Sequence, residues 1–204
     1  AHVLVEKPLA HSVAAGRALI VAASCAGRTL AVAHTLLYEA GIPELVRLAA
    51  AGVLGSVREI RFERQGQDVS PGEVAKGRGP DAPVPVDAAA ARGQLYDHLV
   101  HVTYVLNRLA GGALPAAVSV AERQARRFDD CLTARTTYRN GVQAHIRLSS
   151  SADVPFGKRL RVVGTAGSAE WEGGGGMPRL TLCLADGVWR DVPLRASASA
   201  FTAV

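Results

Sequence analysis

The chain has 204 residues, 49% hydrophobic and 20% charged, with a formal net charge of +5. This is ordinary globular composition, long enough for one large or two small domains and for a core that needs no staples. The positive balance does not build a nucleic-acid surface, because arginines alternate with acids in Arg58-Glu59-Ile60-Arg61-Phe62-Glu63-Arg64 and the cluster Arg123, Arg126, Arg127 runs into Asp129 and Asp130.

Three cysteines, Cys25, Cys131 and Cys183, lie far apart with no C-x-x-C pair. That argues against a disulfide framework or a zinc site and for reduced thiols in the cytoplasm. The longest apolar stretch, Ala18 to Ala26, is about half of what a membrane span needs, so neither a membrane nor a nucleic acid is an expected partner. The only methionine is Met177 and the chain opens on a strand, so it is expected to begin inside a longer protein.

In chain order, His2 to Val5 reads as a strand. Ser12 can cap a helix running to about Cys25, with Gly27 as its stop. Arg28 to Ala33 is a second short strand, and strand, helix, strand at this spacing predicts a parallel βαβ unit. A second helix starts at Pro43, stops at Gly52 and leads to a strand around Ile60 and Phe62. Residues 66 to 92, rich in Gly, Pro, Asp and Ala, show no period, and so long a connection is usually functional or mobile.

Residues 94 to 110 carry the clearest helical pattern. Leu95, Leu99, Val102, Leu106 and Leu109 mark a buried stripe. Asp97, His101, Tyr104 and Arg108 recur two residues out of phase, which predicts roughly the opposite side. Beyond come hairpin strands: Leu132 to Tyr138 and Val142 to Leu148 around Asn140-Gly141, then Arg159 to Val163, Ala169 to Glu172, and Arg179 to Ala185 and Val188 to Val192 around Asp186-Gly187. The expected fold class is α/β plus α+β, a βαβ unit followed by an antiparallel sheet with a few helices.

Few residues are placed for chemistry. Glu6-Lys7-Pro8 ends the first strand, and ligands of open α/β sheets sit at the carboxyl ends of strands. His34 closes the second strand at the same edge. Asp97 and His101 are an i, i+4 pair, in which a carboxylate can fix the imidazole tautomer and raise the basicity of its other nitrogen; a solvated helix pair is the alternative. His98 borders the apolar stripe, and His145 sits among polar positions of a hairpin strand. No nucleophile elbow, metal-ligand spacing or G-x-G-x-x-G occurs.

Taken together, these segments resemble the glucose–fructose oxidoreductase, inositol dehydrogenase and rhizopine-catabolism (Gfo/Idh/MocA) family. The stretch His2-Val3-Leu4-Val5-Glu6-Lys7-Pro8-Leu9-Ala10 resembles its signature strand and Glu-Lys-Pro turn. Tyr96-Asp97-His98-Leu99-Val100-His101 is similar to its Asp-x-x-x-His helix, and Leu160 to Ser168 resembles its late strand-turn. The match runs in order along almost the whole chain, except residues 66 to 92 and the last ten.

The resemblance implies an NAD- or NADP-dependent oxidoreductase acting on a small-molecule secondary alcohol or ketone. It implies residues 1–36 as the C-terminal remnant of a Rossmann domain, and 37–204 as a substrate-binding sheet domain that often builds a homo-oligomer. Lys7 and His101 would act at the reacting carbon, with Asp97 beside the histidine, while Glu6, Lys7 and Pro8 would line the nicotinamide end. His34 and Tyr104 are candidates for substrate contact, and no metal is expected. Many members have glycine where this chain has Leu99 and an acid where it has Tyr104. A non-catalytic ligand-binding or assembly protein of the same fold is the alternative.

Overall fold

The computed structural model describes residues 1–66, 94–124, 129–149 and 154–194. At the N-terminus β1 (Val3–Val5) and β2 (Leu30–Val32) pair in parallel, Val3 opposite Leu30 and Val5 opposite Val32. Helix α1 (Val13–Cys25) makes the crossover, and its start is fixed by Ser12, whose hydroxyl accepts the Ala15 N–H at 3.1 Å. The expected βαβ unit is therefore formed. A 3-10 turn, Thr35–Tyr38, follows β2 and buries Leu36, an element the sequence pattern did not signal. Helix α2 (Ile42–Ala50) begins beside the expected Pro43 and buries Ile42, Leu45 and Leu48.

The second sheet has eight strands. These are β3 (Val57–Gln65), β4 (Pro115–Gln124), β5 (Asp129–Tyr138), β6 (Gln143–Ser149), β7 (Gly157–Gly164), β8 (Ser168–Gly173), β9 (Arg179–Cys183) and β10 (Trp189–Asp191). Their order across the sheet is β10-β9-β8-β7-β3-β6-β5-β4. The mostly antiparallel sheet matches the expected fold class, and two features refine it. The sheet is mixed rather than wholly antiparallel, because β3 runs parallel to β6 while pairing antiparallel with β7. The chain between β3 and β6 is a long crossover through a helix, which is what a parallel pair needs. Strand β4 was not foreseen, since residues 115 to 121 are all exposed and carry no burial alternation.

Helices α2 and α3 (Gln94–Leu109) cover one face of this sheet. Alternate residues point into it: Ile60 and Phe62, Leu132 and Ala134, Ala144, Ile146 and Leu148, Leu160 and Val162, Ala169 and Trp171. Trp171 is fully buried, and its indole N–H donates to Ala40 O at 2.8 Å. Gly41 lies against that ring at φ +93°, and a Cβ there would stand 2.7 Å from Trp171 Cδ1, so only glycine fits. The far end of α3 is tied to the β5–β6 hairpin: the Tyr138 hydroxyl donates to Asn107 Oδ1 at 2.8 Å and Asn140 Nδ2 donates to Ala110 O at 2.9 Å. Gly141, at φ +87°, makes the Asn-Gly turn the sequence predicts.

Residues 67–93, which cover nearly all of the aperiodic stretch, lie outside the described residues. No helix among those described is long and apolar enough to cross a membrane.

Candidate active site

The parallel pair sets two loop ends side by side. Val5 and Val32 are opposite one another, and the Ala33 N–H donates to Val5 O at 2.9 Å. The chain then leaves β1 through Glu6, Lys7 and Pro8, and β2 through His34. Lys7 is half-buried between exposed Glu6 and Pro8, and the Lys7–Pro8 peptide is cis. His34 is held by its own backbone, its N–H donating to Val32 O at 3.0 Å and its carbonyl accepting the Leu37 N–H at 3.1 Å. Lys7 and His34 thus share the carboxyl edge that sequence reasoning gave them.

Helix α3 closes on that edge. The rings of His34 and Tyr104 stack, with centroids 3.7 Å apart and planes 16° from parallel. Tyr104 is one turn beyond His101, and both are half-buried. This corrects the two-faced reading of the helix. Val102, Val105, Leu106 and Leu109 are buried on the sheet and Leu99 packs against them, but the His101 and Tyr104 side is also covered, by the segment that follows β2. Solvent reaches Thr103 and Arg108 instead. A helix between two surfaces buries two stripes, and periodicity alone shows only the more apolar one. His98 is half-buried, as its position beside the stripe suggests. The side chains of Leu95 and Asp97 lie outside the described residues, and with them the pairing expected between Asp97 and His101.

Burial decides the electrostatics. The Nδ1 atoms of both His34 and His101 are shut off from solvent. Desolvation pushes the His34 imidazole below its ordinary value, so it is neutral at neutral pH. No group of His, Cys, Asp and Glu able to hold a metal occurs among the described residues. The arrangement sets Lys7 on a strand end, His101 on helix α3, and the stacked His34–Tyr104 pair where the two elements meet. That set suits moving a proton at an oxygen and holding the charge that develops there.

A second charged cluster escaped sequence reasoning. Arg64, only 2% exposed, lies with its guanidinium carbon 5.1 Å from the Phe156 ring centroid, and Lys158 Nζ lies 5.6 Å from the same ring while pairing with Glu39. The signal was present: Arg64 follows Ile60 and Phe62 in the alternation, so it had to point into the covered face. A groove of about 370 Å³ nearby is lined by Glu63, Phe156, Lys158, Glu172, Met177 and Arg179. Arg159 and Arg179 at its walls pair with Glu172 and Asp191.

The architecture is that of a parallel βαβ unit whose strand ends meet a helix lying on a mostly antiparallel sheet. Residues 42–170, well over half of the chain, match the GFO/IDH/MocA C-terminal domain, and the chain belongs to that family. The aldose-aldose oxidoreductase from Caulobacter crescentus, solved with glycerol, superposes with a TM-score of 0.78 at 23% identity, covering 99% of this chain and 59% of that one. An oxidoreductase from Agrobacterium radiobacter, in complex with NAD+, L-tartaric acid and magnesium, gives 0.73 at 18% identity, covering 94% and 53%. An inositol dehydrogenase homolog from Azotobacter vinelandii, complexed with NAD+, gives 0.71 at 17%, covering 97% and 53%. The chain thus spans between half and three-fifths of their length, and at these identities the likeness is one of fold. No curated protein sequence matches the chain significantly.

Proposed function

We propose that the whole protein is an NAD- or NADP-dependent oxidoreductase acting on a secondary alcohol or ketone of a sugar, polyol or similar polar compound. One observation carries the reading: the His34–Tyr104 stack ties the side of α3 that bears His101 to the strand ends that bear Lys7. Family membership and the NAD+ bound in two similar structures support the cofactor.

The residues present fit the nicotinamide end of such a cofactor, since a half-buried lysine flanked by Glu6 and Pro8 stands at the carboxyl edge of parallel strands. They do not fit the pyrophosphate. No glycine lies among residues 1–12 at the start of α1, and the hydroxyl of its own Ser12 caps its first turn. Residues 1–204 alone are therefore expected to bind no NAD(H) or NADP(H) at micromolar levels, and calorimetric titration checks this.

Bound nicotinamide supplies the hydride acceptor. His101 takes the hydroxyl proton, and Lys7 holds the oxygen and stabilises its developing negative charge; the two roles can be exchanged. Asp97, one turn before His101, orients the imidazole. Glu6 and Pro8 line the nicotinamide end, and His34 and Tyr104 face the substrate. In domain terms, residues 1–36 belong with the dinucleotide-binding part and 37–204 form the substrate and assembly domain.

The uncovered face of the large sheet is the surface we assign to homo-oligomer contact. Arg135, His145, Arg61 and Arg161 stand side by side across β5, β6, β3 and β7 on it. Arg61 already pairs with Glu59, and the arginines beside it in the row are suited to meeting acids of a second copy.

The test is turnover by the whole protein of NAD+ and NADP+ with a panel of sugars and polyols. Reduction of one cofactor by at least one polyol is expected. Tight cofactor binding without turnover on any member would favour a non-catalytic ligand-binding role instead.

A further inference from the structure

Among the described residues the large sheet ends on β10 at one side and on β4 at the other. An edge strand turns a row of backbone N–H and C=O groups outward. Such a row is a template for another strand unless shortness, charge, proline or a bulge blunts it. β10 is blunted: it has 3 residues, and Arg190 and Asp191 carry charges that Asp186 and Arg179 engage. β4 has 10 residues. Its proline and its irregularities fall at the ends, where the register with β5 shifts at Pro115/Ala117 and again at Arg123/Gln124. The stretch between them from Ala117 to Ala121 holds no charge, no proline and no bulge.

Apolar surface lies along the same stretch. Val118 and Val120 stand opposite Thr136 and Ala134 of β5, on the side of the sheet that α2 and α3 cover, yet they are 59% and 46% exposed. The helices stop short of β4 and leave two β-branched side chains in water beside that row of backbone groups.

The sequence of the stretch says what fits it. Ala117-Val118-Ser119-Val120-Ala121 reads the same in both directions. A two-fold contact needs a surface complementary to itself. In an antiparallel pair of identical strands the axis must pass at a residue, because opposite residues point to the same side. With the axis at Ser119, Val118 of each copy faces Val120 of the other, and Ala117 faces Ala121. With the axis at Val118, Val120 would face Ala116; at Val120, Val118 would face Glu122. Only the first register sets valine against valine twice, with Cβ atoms about 4.5–5.5 Å apart.

We propose that β4 pairs antiparallel with β4 of a second copy about a two-fold axis at Ser119, joining the two large sheets edge to edge. The axis is perpendicular to the sheet, so both open faces lie on the same side of the joined sheet. This contact is separate from the open-face contact assigned above and rests neither on that assignment nor on the reaction. It also closes on itself, since the edges left over are the short, charged β10 strands.

The test uses the whole protein, with thermal melts on every variant. Val118→Lys/Val120→Lys puts charge on an edge whose valines are exposed, and in sedimentation velocity it halves the mass of the wild-type assembly. Cysteine pairing reads the register. Ser119→Cys faces its own copy and forms a covalent dimer on mild copper-catalysed air oxidation, above the background that wild type gives from Cys25, Cys131 and Cys183. Val118→Cys and Val120→Cys link to each other when co-expressed, and neither links to itself. Two copies of Val118 lie two residues out of step, about 7 Å along the strands, which takes their Cα atoms beyond the roughly 7 Å that a disulfide spans. The mixed link lies on the helix side of the sheet, where an open-face contact cannot make it.

Wild type that sediments as a single chain, a folded lysine variant of wild-type mass, or the absence of the Ser119→Cys or mixed links overturns the pairing. So does Val118→Cys that links to itself as readily as to Val120→Cys. Should the lysine variant fail to fold, the cysteine pairs decide alone.

Discussion

Helix α1 buries none of its 13 residues, whereas α2, with 9, buries Ile42, Leu45 and Leu48. Their sequences explain the contrast. In α2 the apolar residues form one stripe with Glu44 and Arg47 outside it, and that stripe meets the large sheet. In α1, Val13, Leu19, Ile20 and Val21 lie around the helix with Arg17 the only charge, and each of those four apolar side chains is exposed. A helix that is apolar all round is suited to being covered on more than one side. The large sheet and the helices on it hold the core, while the βαβ unit has little packing beneath its strand ends.

Mutations in the two regions should therefore differ sharply in cost. Trp171→Ala removes the largest buried side chain and its bond to Ala40, and should lower stability by about 3–5 kcal/mol in urea unfolding. Gly41→Ala places a Cβ against the same ring from a left-handed backbone, with an expected loss of roughly 1–3 kcal/mol. Leu19→Ala in α1 should change the stability of residues 1–204 by no more than about 0.5 kcal/mol. Should Leu19→Ala cost as much as Trp171→Ala, the two regions would share one cooperative core and the contrast would be wrong. Hydrogen exchange sharpens the same point, with amides of α1 expected to exchange well before those of β3 and β6.

The sheet was legible wherever alternation met a turn signal. Val142 to Leu148 beside Asn140-Gly141 came through because burial on one face and a glycine at positive φ both leave marks in sequence, whereas β10, exposed along its length, came through on the Asp186-Gly187 turn. Strand β4 left none, because an exposed edge of Ala, Val and Ser has no face to declare. The parallel β3–β6 contact was hidden for another reason, since pairing between strands far apart in sequence has no local signature.

Of the candidate site, the strand-edge position of Lys7 and His34 followed from topology, whereas His101 as a site residue came from the family resemblance, helix spacing alone leaving a solvated pair as the alternative. What could not be read was that His34 and Tyr104, 70 residues apart, stack face to face. Nor could periodicity show that the second side of α3 is covered, because the covering segment is a 3-10 turn with no pattern of its own.

The measurement that bears most directly on the account is the turnover of His101→Asn in the whole protein, at saturating cofactor and polyol. If His101 moves the proton, kcat should fall by roughly 10²- to 10⁴-fold, with the fold and the cofactor affinity unchanged. A His101→Asn enzyme that turns over at the wild-type rate would contradict the assignment of this helix to the reacting centre.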